Sequence, residues 1–131
     1  EVLHTFTGHK AEIGAVEITP DGQYIVSGSE DSTIKIWDLK DREEVNTLTG
    51  HSAGVNGICI TKDGQYIVSA SSDKTLKVWH FSSGGTVASF NCDSELSACA
   101  IASNELKISA GDKFGKLYLF QLVLNEASVS E

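Results

Sequence analysis

The sequence predicts an all-β protein built from three four-stranded antiparallel units. Three observations carry that prediction: a repeat, strand-length runs closed by turn residues, and no sustained helical period. The repeat is direct. Asp21-Gly22-Gln23-Tyr24-Ile25-Val26-Ser27 recurs as Asp63-Gly64-Gln65-Tyr66-Ile67-Val68-Ser69, and Gly8-His9, Asp31 and Trp37 recur as Gly50-His51, Asp73 and Trp79, all at an offset of 42 residues. A degenerate third copy follows, in which Lys116-Leu117-Tyr118-Leu119-Phe120 matches Thr75-Leu76-Lys77-Val78-Trp79 at an offset of 41.

Within one unit the elements follow in order. Val2 to Phe6 is a short β-prone run ahead of Gly8-His9. Ile13 to Thr19 is the next, closed by Pro20-Asp21-Gly22. Asp-Gly between two such runs is a strong hairpin signal, because glycine takes the left-handed conformation the turn needs. Tyr24 to Ser29 is closed by Glu30-Asp31-Ser32, and Thr33 to Asp38 by the polar stretch Lys40 to Glu44. The third unit has runs near Leu96 to Ala102, Glu105 to Ala110 and Lys116 to Leu122. A lone four-stranded sheet of this kind has two apolar faces and cannot bury both, whereas copies stacked around an axis can.

Composition narrows the function classes. The chain has 131 residues and a formal charge of −8, with no basic run. Phosphate neutralisation dominates nucleic-acid affinity, so this balance argues against nucleic acid and against anionic membranes. Cys59, Cys92 and Cys99 are an odd number with no Cys-x-x-Cys pair. That fits a reducing, cytoplasmic setting better than a disulfide framework. The absence of methionine, even at position 1, leads us to expect part of a longer protein.

Gly8-His9 followed by Trp37-Asp38, and Gly50-His51 followed by Trp79, resemble the paired signature of WD repeats, and Ser27 to Asp38 is close to that family's consensus. The resemblance runs to about Leu122. It implies WD-repeat β-propeller blades, here a partial propeller. It also implies a hydrogen-bonded structural network in each repeat: His9, Ser27, Asp31 and Trp37, then His51, Ser69, Asp73 and Trp79. In the third copy the equivalent positions fall near Asp93 and on Ala110, Phe114 and Phe120, so the network is expected to be lost to apolar bulk. The last copy further resembles the final WD repeat of NACHT and NB-ARC signal-transduction NTPases, which implies a sensor or scaffold module of a signalling protein.

The same residue types invite other readings. His9, Ser27 and Asp31 look like a catalytic triad, but an active site needs an exposed nucleophile and an oxyanion site, and is rarely kept twice at one spacing. The structural network explains them better. His4, His9, His51 and His80 show no zinc-like spacing. Gly111 to Lys116 lacks phosphate-loop spacing and a following helix. The cysteines read as small hydrophobes. No enzyme, metal or cofactor is expected.

Function should lie on exposed loops. In WD propellers, as the family implies, partners dock on the face carrying the loops after Gly-His and between the second and third strands. Here those positions are Glu12, Gly14, Gly54, Asn56, Glu95 and Ser97, joined by Glu30, Ser72 and Lys113. Their acidic lean suits a basic protein or peptide. The expected organisation is a propeller part over 1–122, with units at about 8–49, 50–91 and 92–122, and a polar tail at 123–131. Residues 1–7 would be the outer strand of a neighbouring blade, while the third unit's own outer strand is missing or weak. Additional blades are expected from the parent chain or from a second copy.

Overall fold

The computed structural model describes residues 1–102 and 107–123. All of its regular structure is β: no helix occurs among the described residues, and eleven strands form three antiparallel sheets. The first sheet comprises β1 (Ile13–Ile18), β2 (Tyr24–Ser29), β3 (Ile34–Asp38) and β4 (Glu43–Leu48), in that order. The second repeats it with β5 (Val55–Ile60), β6 (Tyr66–Ser71), β7 (Thr75–His80) and β8 (Thr86–Asn91). The third has β9 (Leu96–Ile101), β10 (Lys107–Asp112) and β11 (Leu117–Gln121).

Turn chemistry sets the register. Gly22 and Gly64 both sit at φ 74°, and each donates its amide to the carbonyl of Thr19 or Thr61 at 2.8 Å. Thr19 Oγ1 donates to Asp21 and accepts the Tyr24 amide, and Thr61 does the same with Asp63 and Tyr66. Ile18 therefore pairs with Ile25, and Ile60 with Ile67; in the next ladder Tyr24 pairs with Asp38 and Tyr66 with His80, which puts Ser27 opposite Lys35 and Ser69 opposite Lys77.

The core lies between blades. One apolar cluster joins Val26, Ile34 and Ile36 of the first sheet to Val55, Ile58, Ile67 and Trp79 of the second. The other joins Val68, Leu76 and Val78 of the second to Leu96 and Ile108 of the third. The second blade is thus covered on both faces. The first leaves Ile13, Val16 and Ile18 exposed, and the third leaves Leu117 and Leu119 exposed.

One expectation is corrected. The third unit is three-stranded among the described residues, not four-stranded. The run Val2 to Phe6 belongs to none of the described sheets. Phe6 nevertheless packs on Trp37, with ring centroids 5.4 Å apart, as its repeat counterpart Leu48 joins the cluster of Trp79. The expected start at Glu105 and the tail from 124 on lie outside the described residues.

Candidate functional site: the repeated network and the rim

Each full repeat brings its four signature side chains together. In the second, His51 Nδ1 lies 2.8 Å from Asp73, His51 Nε2 lies 2.6 Å from Ser69 Oγ, and Trp79 Nε1 donates to the same Oγ at 2.9 Å. In the first, the same distances are 2.9 Å for His9 to Asp31, 2.7 Å for His9 to Ser27 and 2.8 Å for Trp37 to Ser27. For a neutral imidazole, donor counting gives one arrangement of protons. The carboxylate can only accept, so the imidazole is the Nδ1–H form, and its bare Nε2 accepts the serine proton. The serine oxygen is left to accept the indole N–H. The Lys10 and Ser52 amides also donate to the carboxylates, as do the hydroxyls of Thr33 and Thr75.

The electrostatics follow from this arrangement. Burial raises the Asp31 carboxyl, but hydrogen bonds from Thr33, the Lys10 amide and His9 outweigh it and hold the group well below the usual carboxylate range. Asp73 is held at about 2, with burial again opposed by Thr75, His51 and the Ser52 amide. Burial pushes the His51 imidazole below its ordinary value, against the pull of Asp73. Ser69 is fully buried and Ser27 nearly so, so neither hydroxyl faces a substrate. The serine proton is committed to histidine and the serine lone pair to tryptophan. The geometry braces the sheet rather than activating a nucleophile.

The third unit departs from the expectation that its network is lost. Asp112 takes over: its carboxylate accepts from Ser94 at 2.7 Å, from Tyr118 at 3.0 Å, and from the Phe114 and Lys116 amides, both at 2.9 Å. The Tyr118 hydroxyl also accepts the Asp93 amide. Burial opposes ionisation here, yet those donors hold Asp112 at about 2. By the repeat offset Asp112 occupies the place of Ser71, two residues before the position expected to carry the carboxylate, so spacing alone hid it. Apolar bulk fills only part of the gap. Phe120 stacks on Phe90 at 4.9 Å, but Phe114 is 85% exposed.

The rim positions are brought together by one backbone device in every blade. The Glu30 amide donates to the Glu12 carbonyl, the Ser72 amide to Gly54, and the Lys113 amide to Glu95, at 2.8, 2.9 and 3.0 Å. Their side chains then diverge. Glu12 and Glu30 are both exposed, and among the described residues neither joins a salt bridge. Glu95 is paired with Lys113 at 3.3 Å. The acidic lean is therefore concentrated on the first blade.

Three nominated positions have structural duties. Asn56 donates to Ser72 and to the Leu96 carbonyl, both at 2.8 Å, pinning the second blade to the third. A Cβ on Gly14 would lie 2.7 Å from the Val55 carbonyl oxygen, and one on Gly54 would lie 2.8 Å from the Glu30 carboxylate. Ser97 is exposed. Cys59 and Cys99 meet across neighbouring blades with sulfurs 3.5 Å apart, and contact with the Cys99 thiol together with burial pushes the Cys59 thiol up, so it stays protonated at neutral pH. Among the described residues no His/Cys/Asp/Glu group is arranged to hold a metal. No helix among them is long and apolar enough to cross a membrane.

The comparisons agree with this architecture. The structure is similar to a crystal structure of RRP9 WD40 repeats, with a TM-score of 0.84 at 21% identity, over 88% of this chain and 37% of that one. A ribosome biogenesis protein BOP1 homolog of Dictyostelium discoideum is 53% identical over 34 residues, 26% of this chain and 4% of that protein. The transcriptional repressor tup12 of Schizosaccharomyces pombe is 58% identical over 33 residues, 25% of this chain and 6% of its own. The nuclear distribution protein PAC1 of Candida tropicalis is 42% identical over 38 residues, 29% of this chain and 8% of its own. The chain thus spans a small part of these relatives. The family model described as WD domain, G-beta repeat matches residues 1–38 and 42–80, more than half of the chain, and the chain belongs to the WD-repeat family.

Proposed function

We propose that this chain is a protein-interaction scaffold, not an enzyme, and that it recruits basic segments of partner proteins through the rim of its first blade. The observation that carries the reading is the contrast between two sets of polar side chains. The histidine, serine and aspartate that resemble catalytic machinery are satisfied internally in both full repeats. Glu12 and Glu30, held side by side by a backbone hydrogen bond, are exposed and join no salt bridge among the described residues, with the Glu30 carboxylate resting against Gly54. Exposed charges of one sign with no internal partner favour encounter with the opposite charge, and they do so more strongly at low salt. The names of the relatives, spanning ribosome biogenesis, transcriptional repression and nuclear distribution, fit a binding module reused in different settings. A sensor role in a larger signalling protein is the narrower form of the proposal, and the three free thiols fit a cytoplasmic setting.

Calorimetric titration with lysine- and arginine-rich peptides tests it. Binding is expected to weaken as salt rises. The double variant Glu12→Gln/Glu30→Gln should weaken it by roughly two- to tenfold, the scale of two exposed ion pairs. Binding indifferent to both salt and the variant would remove the acidic rim from the account.

A further inference from the structure

We propose that Cys59 and Cys99 are a redox modification site: hydrogen peroxide joins them in a reversible disulfide that staples the second blade to the third. The two thiols come from the first strands of neighbouring blades, β5 and β9, and their sulfurs lie 3.5 Å apart. Cys59 is buried, and the Cys99 thiol donates to the Val68 carbonyl of β6 at 3.8 Å. Both side chains therefore point into the interface between these two blades, and the pair is internal to the stack.

Two further features hold the strands where a bond can form. Gly57 lets the backbones close in, since a Cβ there would lie 3.1 Å from both the Ala98 Cα and the Cys99 amide nitrogen. Disulfide closure demands such an approach, because Cα atoms more than about 7 Å apart cannot be bridged without backbone movement. Asn56 donates to the Leu96 carbonyl at 2.8 Å and fixes how the strands lie lengthwise.

The repeat shows that the pair is particular to this interface. Cys59 stands where Glu17 does in the first blade, opposite Val68 as Glu17 is opposite Val26. Cys99 stands where Ile58 does in the second, opposite Ala110 as Ile58 is opposite Ser69. The equivalent place between the first and second blades thus holds a glutamate and an isoleucine, which cannot be cross-linked. A small hydrophobe at either cysteine position would serve packing alone, whereas two thiols in contact are what this redox step needs.

The chemistry runs in two steps. Contact with the Cys99 thiol and burial push the Cys59 thiol up, so Cys99 is the attacking sulfur and Cys59 the resolving one. The Cys99 thiolate attacks one peroxide oxygen and the O–O bond breaks. Hydroxide leaves, takes up the proton that Cys99 lost and becomes water, and a sulfenic acid remains. The Cys59 sulfur then attacks the Cys99 sulfur. The S–O bond breaks, the hydroxyl leaves with the Cys59 proton as water, and the S–S bond forms. Two thiols and one peroxide give one disulfide and two waters; the sulfurs are oxidised and the peroxide is reduced. Thiol exchange reverses the link.

Hydrogen peroxide treatment of the folded chain, followed by alkylation and non-reducing peptide mapping, tests this. A Cys59–Cys99 bond is expected, with Cys92 left free for alkylation, and dithiothreitol should restore all three thiols. Chain proximity favours another product, because Cys92 is nearer to Cys99 in sequence and shorter loops close more readily. In urea the main bond should therefore pass to Cys92–Cys99. The oxidised chain should unfold at a higher urea concentration than the reduced one. Cys59→Ala and Cys99→Ala should each abolish the link and the shift, and Cys92→Ser should abolish neither. A wild-type map showing Cys99 sulfinic acid without a link, a bond through Cys92, or three unmodified thiols overturns the proposal. The same product distribution in urea overturns it too, as does an oxidised chain that unfolds no later than the reduced one. The wild-type map decides even where a variant fails to fold.

Discussion

At the scale of single residues, the serine in each full repeat is the hinge of the network. Ser69 Oγ serves two partners at once, giving its proton to His51 and accepting from Trp79. Ser69→Ala leaves the indole N–H buried without an acceptor. A loss of about 1–3 kcal/mol of stability is expected, read as a lower midpoint in urea unfolding. The network also gives stability a pH dependence whose sign is fixed. His51 is depressed below its ordinary 6.5 in the folded state, so its contribution is complete above that value and declines as pH falls through the lower folded value. Asp31 and Asp73 are depressed below their ordinary 3.8, so their contribution is complete above that value and is lost as they protonate in stronger acid. Urea midpoints measured from pH 8 downward should therefore fall in two stages, the first beginning near 6.5 and the second below 3.8. A midpoint constant down to pH 4 would contradict the histidine part.

At the scale of elements, the inward strands and their turns were legible because local rules and repeat agree. Period-two runs, Asp-Gly turns and the fixed offset all point to one register. What spacing could not show is what crosses between blades. Asn56 reads as a loop polar residue until its amide is seen joining Ser72 to the Leu96 carbonyl. Gly14 and Gly54 read as loop glycines until the Val55 carbonyl and the Glu30 carboxylate are found against them. Asp112 escaped because the carboxylate moved two places while the offset stayed readable. The pair Gly28 and Gly111 turns this into a prediction. They are equivalent within their strands and differ only in what faces them. Gly28→Ala should cost about 1–3 kcal/mol by overpacking against Val55, whereas Gly111→Ala should leave the thermal midpoint of the single chain nearly unchanged. Equal effects at the two positions would mean that blade stacking does not set the constraint.

At the scale of the whole molecule, the design is one-dimensional. Each blade is braced from within by its own polar network and joined to the next by an apolar cluster. The polar networks are spent on structure, which leaves the rim as the surface where blades of one pattern differ. The first blade presents two unpaired carboxylates, the second presents small polar groups, and the third presents a closed ion pair. The most direct test of the claim that binding belongs to the rim is a map of amide shift changes over the whole chain as a lysine- and arginine-rich peptide is added. The account predicts changes centred on Glu12 and Glu30 and fading toward Glu95 and Lys113. Changes centred instead on His9 and Ser27, or on His51 and Ser69, would contradict it, because they would show the networks to be open to ligand.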